Sequence, residues 1–261
     1  MRVFAAGGTG VMGQHLVPQL VARGHQVTAT TTSPSKLGLL EKLGAQGVVM
    51  DGLDAASVRK AVVASQPDVI VNQMTGLSQM HVGKPDMKHL ERFFATTNRL
   101  RTEGTDHLLA AAEATGVSIF IAQSFGSFYG MPTGGWVKTE EEPLDLMEGT
   151  TAQPIMAAIR HLEDAVVRAG GAALRYGAFY GPGASDDQVE LVRKGMFPLV
   201  GGGNGYMSVG APARRRKRHR PGRREAGQGR VQHRRRRACP CPRVVSLSCR
   251  VRGRVAADAG S

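Results

Sequence analysis

Cysteine is absent from the first 238 residues, and the three present are Cys239, Cys241 and Cys249. For most of the chain this excludes a disulfide framework or a thiolate metal site. Aromatic residues are few, at 5%, with a single Trp. No apolar run approaches the roughly eighteen residues that a membrane helix needs. The N-terminus runs straight into a strand-like segment without a signal-peptide pattern. The eight His show no metal-ligand spacing on a common helix face, so no metal site is expected. These absences point to a soluble, cytoplasmic protein with no membrane partner. Acidic residues are scarce in one place only. Residues 209–261 hold 17 basic side chains and 2 acidic ones, whereas residues 1–208 hold 17 and 19. The formal net charge of +13 therefore averages two unlike parts and identifies no partner.

Residues 1–208 alternate short apolar runs with longer helix-period segments. The strand-like runs are Arg2 to Ala6, Gln26 to Thr30, Gly47 to Met50, Asp68 to Asn72, Ser118 to Ala122 and Ala172 to Tyr176. Helices are expected over Met12 to Arg23, Ser35 to Leu43, Ala55 to Ser65, Thr102 to Ala114 and Pro154 to Arg168. Continuous apolar strands are those of a parallel sheet covered on both faces, and the repeated β-α-β alternation implies a doubly wound α/β sheet. Gly24, Gly44, Gly116 and Gly170 stand where helices end. Pro18, inside the first helix, removes a backbone donor and should kink or strain it.

Gly7, Gly10 and Gly13 form GxxGxxG between the first strand and the first helix. Glycine permits the tight turn, lets the backbone approach a pyrophosphate, and allows close helix-to-sheet packing, while the helix start supplies free N–H donors. With Thr9, Val11 and Met12, these residues are the expected dinucleotide cradle. An acid at the end of the second strand would select the ribose diol of NAD. Thr30, Thr31, Thr32, Ser33 and Lys36 stand there instead, and suit the 2′-phosphate of NADP better; NAD stays open. Asp51 and Gly52 end the third strand, where the carboxylate would bind an adenine amino group or simply form a turn.

GGTGVMG after the first strand, EGTDHLLAAAEATGV, IAQSFGSFYG and LRYGAFYGPG resemble, in order and spacing, the extended or atypical short-chain dehydrogenases/reductases, the NAD-dependent epimerase/dehydratase type. The resemblance covers residues 1–208. It implies a Rossmann domain with part of a substrate lobe, a Ser or Thr at the end of the fifth strand, and a Tyr-x-x-x-Lys helix. In that helix the Tyr transfers a proton and the Lys holds the nicotinamide ribose. Ser124 falls near the Ser position, as a substrate-polarising hydroxyl or a plain hydrogen-bonding one. If Arg160 takes the Lys position, the residue four earlier is Met156, whose thioether has no proton to give. Arg160 would keep the ribose contact but cannot act as a base. Tyr129 is the nearest other phenol and reads first as a packed aromatic.

From Val209 the alternation stops, and RRRKRHR, GRREAGQGR and QHRRRR follow, separated by Gly and Pro. One reading is a disordered Arg-rich arm for nucleic acid. The favoured reading is a shift of reading frame near Ser208. Read one nucleotide later, the codons permit SWVHLHDAASATVLAVE from Ser208 on and NIVDDEPAPA in place of QHRRRRACPC, both similar to the family's C-terminal segment. The chain then carries a nearly complete cofactor domain and a damaged substrate lobe. The expected function is an NAD(P)-dependent oxidoreductase or epimerase acting on a small carbonyl, alcohol or sugar-nucleotide substrate, with a homodimer compatible. A non-catalytic dinucleotide sensor and a nucleic-acid binder using the tail are the rivals.

Overall fold

The computed structural model describes residues 1–77, 90–126, 142–181, 183–195, 209–210 and 244–247. Its centre is a parallel sheet in the order β3-β2-β1-β4-β5-β6-β9. The strands are β1 (Arg2–Ala6), β2 (Gln26–Thr31), β3 (Gln46–Val49), β4 (Val69–Asn72), β5 (Ile119–Phe125), β6 (Ala172–Tyr176) and β9 (Val244–Leu247). A separate pair joins β7 (Ala178–Phe179) to β8 (Val209–Gly210). The order reverses at β1, where β2 lies on one side and β4 on the other. In a doubly wound sheet this switch point opens the crevice that receives a ligand.

Register explains the two-sided core. Val3 and Ala5 of β1 face one way and pack with Val17, Val27, Leu40 and Val71 under α1 (Val11–Val21) and α2 (Leu37–Lys42). Phe4 and Ala6 face the other way, with Ile70, Phe120 and Ala122. That face lies under α3 (Ala55–Ser65), α6 (Glu103–Ala114) and α7 (Gln153–Arg168). Each fully buried Ile, Leu or Phe contributes about 1.5–3 kcal/mol of burial, and alternation along each strand delivers such residues to both faces.

The strands and helices expected from the sequence fall within a few residues of those observed, and β1, α3 and β6 coincide with them. The four helix-ending glycines all have positive φ, between 70° and 86°, a conformation that favours glycine. Helix α1 continues through Pro18. Sequence reading missed α4 (Leu90–Phe93), α5 (Ala95–Arg101), α8 (Asp186–Arg193) and the short strands β7 and β8. It also missed β9: a tail read as lacking any strand period contributes Val244–Leu247 to the β6 edge, with Val244 opposite Ala173 and Leu247 opposite Tyr176. The adjacent Val244 and Val245 are β-branched, and stand in the tail's most apolar stretch. Among the described residues no helix is long and apolar enough to cross a membrane. On α8, Val189 and Val192 remain 45% and 59% exposed.

Candidate functional site

The glycine turn between β1 and α1 is built by close backbone approach. Gly7 has φ +86°, and a Cβ there would stand 2.8 Å from the Gln73 carbonyl oxygen at the end of β4. A Cβ on Gly13 would stand 2.5 Å from the carbonyl oxygens of Gly7 and Gly8. Gly8, which the triplet reading passed over, is as constrained: its Cβ would lie 2.7 Å from that of Ala29. The Gly8 N–H donates to the Thr30 carbonyl at 2.9 Å, and the Gln14 side chain donates to the Thr9 carbonyl at 3.0 Å. Helix α1 begins at Gly10 with no side-chain cap, and its first capping bond runs from Gln14 N–H to Gly10 C=O. Val11, Met12 and Gly13 thus present the open donors of a helix start, the arrangement that holds a phosphate.

The hydroxyls at the end of β2 divide into two groups. Thr30 and Thr31 are buried. The Thr30 Oγ1 accepts from the Gly7 N–H at 3.0 Å, and the Thr9 hydroxyl donates to Thr31 Oγ1 at 3.3 Å, so both hold the turn. Thr32, Ser35 and Lys36 are exposed, and Ser33 is half-buried with its hydroxyl 2.8 Å from that of Ser35. These four remain to meet a ligand. Asp51 forms an Asx turn, its Oδ1 accepting from the Leu53 N–H at 2.9 Å. Gly52 is buried, and a Cβ there would meet the Met74 sulfur at 2.6 Å, so its lack of a side chain serves packing.

The region beyond β4 is of another kind. The Asn72 amide donates to Thr105 Oγ1 at 3.3 Å and accepts from the Met74 N–H at 3.0 Å; the Gly76 N–H donates to Thr97 Oγ1 at 3.1 Å. These bonds seat α5 and the start of α6 on the segment that follows the strand. Arg101, on that same helical stretch, is 7% exposed, and burial alone pulls its guanidinium down to about 10. Burial pushes the Tyr176 phenol up. Arg101, Gln73, Gly8 and Gly76 were not singled out from the sequence. Only Thr97, one turn before Arg101 on α5, marked its helix face.

Helix α7 bears on two of the sequence readings. Arg160, offered as the ribose-binding cation, is 60% exposed and pairs with Asp164 at 3.6 Å on the outer face. The side chains one turn apart that face inward are Ile155 and Ile159, which with Met156 pack against Phe94, Phe125, Leu144 and Met147. The periodicity of α7 puts Ile155, Ile159, Leu162 and Val166 on one stripe, and position 160 lies off it. Ser124, offered as a substrate-polarising hydroxyl or a plain hydrogen-bonding one, is 2% exposed and donates to Glu163 Oε1 at 2.5 Å, which is the second arrangement. Arg175 closes the network from β6, its Nε and Nη2 donating to the two Glu163 oxygens at 2.9 and 2.7 Å. Strand alternation explains this, since Ser124 shares a face with Phe120 and Ala122 beneath α7. Tyr129 lies outside the described residues.

The family model described as NAD(P)H-binding matches residues 7–176. A "3-diazoavenalumate denitrifying reductase" from Streptomyces sp is 40% identical over 216 residues, covering 80% of this chain and 67% of that protein. "Uncharacterized protein y4nL" of Sinorhizobium fredii is 29% identical over 223 residues, and this chain spans 56% of its length. Among solved structures, the UDP-glucose 4-epimerase of Thermus thermophilus in complex with NAD superposes with a TM-score of 0.64 at 22% identity, covering 82% of this chain and 71% of that one. The UDP-glucose 4-epimerase of Thermotoga maritima with UDP-glucose gives 0.63 at 19% identity, over 81% and 70%. At such identities the likeness is one of fold.

Proposed function

The chain belongs to the NAD(P)H-binding family, and from that premise we propose that it is an NADPH-dependent reductase whose hydride acceptor needs no proton from a tyrosine. The observation that carries this reading is the inner face of α7, where Ile155, Met156 and Ile159 offer neither phenol nor ammonium. The cofactor's cradle fits the residues present. The close approach at Gly13 leaves room for backbone only, the α1 N-terminus would meet the pyrophosphate, and Thr32, Ser33, Ser35 and Lys36 would meet a 2′-phosphate. Among the described residues at the end of β2 no carboxylate competes for that position.

An acceptor that carries its own leaving group fits such an apolar wall, and the Streptomyces relative's name supplies the class: a diazo acid. The bound cofactor would supply a hydride to the diazo-bearing carbon of an arenediazonium carboxylic acid as the carbon–nitrogen bond breaks and N2 departs with its electron pair. Atoms and charge balance without an added proton. The chain's part is to hold the ring against the half-buried Phe94 and Phe125, which the α7 aliphatics back, and to exclude water. The test is turnover of an arenediazonium carboxylic acid with NADPH deuterated at the transferring position. Deuterium on the product carbon supports the reading. Deuterium acquired only from heavy water, or tight cofactor binding without turnover, overturns it.

We further infer that residues 209–261 are read out of frame and that the arginine runs have no partner. Resequencing the gene across codons 200 to 215 tests this. A one-nucleotide change that restores a family-like segment supports it; an in-frame gene, with salt-sensitive nucleic-acid binding by the full chain, overturns it.

A further inference from the structure

Among the described residues, four buried side-chain polar atoms close no hydrogen bond: Nε2 and Oε1 of Gln73, Oδ1 of Asn98, and Nη1 of Arg101. All four belong to the two segments that meet beyond β4. Gln73 stands next to Asn72 and three residues before Gly76, and those two bond to Thr105 and Thr97 on either side of Arg101. Thr97 and Arg101 lie one turn apart on one face of α5, and Thr105 follows on α6 after the break at Thr102. Arg101 thus shares the face whose Thr97 docks on the segment after β4, with Asn98 one turn back toward the helix start. Gly7 packs on the Gln73 carbonyl, so the cluster adjoins the glycine turn.

The contrast with Arg175 is direct. Both guanidinium-bearing residues are 7% exposed. Arg175 holds Glu163 with two parallel bonds, whereas Arg101 has no acid facing it among the described residues. A buried cation with no partner is an expensive feature for a fold to keep, and a planar fork of donors is matched by a carboxylate.

We propose that Arg101, assisted by Asn98 and Gln73, is the subsite that receives the carboxylate of the substrate. The inference rests on the reductase reading for the identity of that substrate as an aryl acid. It rests on the unpaired cluster alone for the existence of the anion site. Phosphate donors are already present at the α1 N-terminus, and the half-buried Phe94 stands one turn before Asn98 on Arg101's helical stretch. A carboxylate on an aryl body therefore suits this cluster better than a second phosphate.

The experiment is equilibrium binding of cinnamate and of its neutral counterpart cinnamamide to the full chain, with and without NADPH. Wild type, Arg101→Met and Arg101→Lys are compared, and each variant's melting temperature is recorded. Wild type should bind cinnamate at least tenfold more tightly than cinnamamide. Arg101→Met should erase that preference, leave cinnamamide and NADPH affinity within twofold, and melt no lower than wild type, since it removes an unpaired charge. Arg101→Lys should retain part of the preference. Equal binding of acid and amide by wild type overturns the proposal without any variant. A parallel loss of NADPH affinity in Arg101→Met overturns it in favour of a cofactor phosphate, and a lower melting temperature with the preference intact overturns it in favour of a structural arginine. Because none of these readouts needs turnover, a chain that binds cinnamate through Arg101 yet fails to reduce a diazonium acid would sink the reductase reading and leave the subsite standing.

Discussion

On the two sides of the β1/β4 switch point the chain treats its polar groups in opposite ways. On the β2 side, the hydroxyls of Thr30, Thr31 and Thr9 and the Gln14 amide are bonded into the glycine turn. On the β4 side, the amide of Gln73, the Oδ1 of Asn98 and the guanidinium of Arg101 keep unbonded atoms in the interior. The first side is complete before any ligand arrives, so it can be rigid and shared across a family. The second has deferred part of its hydrogen bonding, which gives a fold a means to prefer one ligand over another. On the strands that follow, β5 and β6, Ser124 and Arg175 both bond Glu163 of α7.

Glu163→Ala should have the largest effect. It removes the carboxylate that both Arg175 and Ser124 bond, and removing one partner of a buried pair costs about 3–5 kcal/mol. Thermal unfolding should show the loss directly, and an unchanged melting temperature would mean that the buried network is dispensable. Gly13→Ala comes next. It places a methyl where the turn leaves 2.5 Å, and overpacking of this kind costs about 1–3 kcal/mol, so NADPH affinity should fall roughly 10- to 100-fold. Intact affinity would show that the β2 side is not rigid at all. Lys36→Ala should weaken NADPH about tenfold and leave NADH unchanged, as expected for one charge-assisted contact. Equal losses for both cofactors would remove Lys36 from the 2′-phosphate position.

Asp68 gives the smallest effect and a pH dependence. Hydrogen bonds from the Arg2 backbone N–H and side chain hold its carboxyl below the ordinary 3.8. A carboxyl depressed in the folded state contributes stability above that value and loses it as the pH falls through the folded-state value. Asp68→Asn should therefore cost a little stability at neutral pH, the modest loss expected of an exposed pair, and flatten the acid limb of the stability curve. An acid limb as steep as that of wild type would show that the Arg2 pair contributes nothing to stability.

Local rules account for what was legible in the sequence. Val3, Val27, Val69 and Ile119 are β-branched residues in short runs, and Gly7 and Gly13 are glycines that only a close backbone approach requires. The orientation of Ser124 was legible too, since it shares parity with the apolar Phe120 and Ala122 along β5. Arg160 likewise lies off the stripe that Ile155 and Ile159 define. What could not be read was long-range. The segment ATTNRLR carries too little apolar periodicity to show α5 as a buried helix, because it is half-buried by polar side chains. Arg101 looks like any surface arginine until Thr97 and Thr105 are seen to dock on the residues after β4.

The last strand of the sheet has a consequence for handling the molecule. β6 keeps its outer row of amide and carbonyl groups paired with four residues, Val244–Leu247, supplied from a distant part of the chain. An edge so thinly covered is a template, and any other extended segment that reaches it competes on equal backbone terms. Trimming the basic tail, the obvious step toward a better-behaved protein, would bare that edge and exchange a charged appendage for a surface on which copies of the sheet can pair.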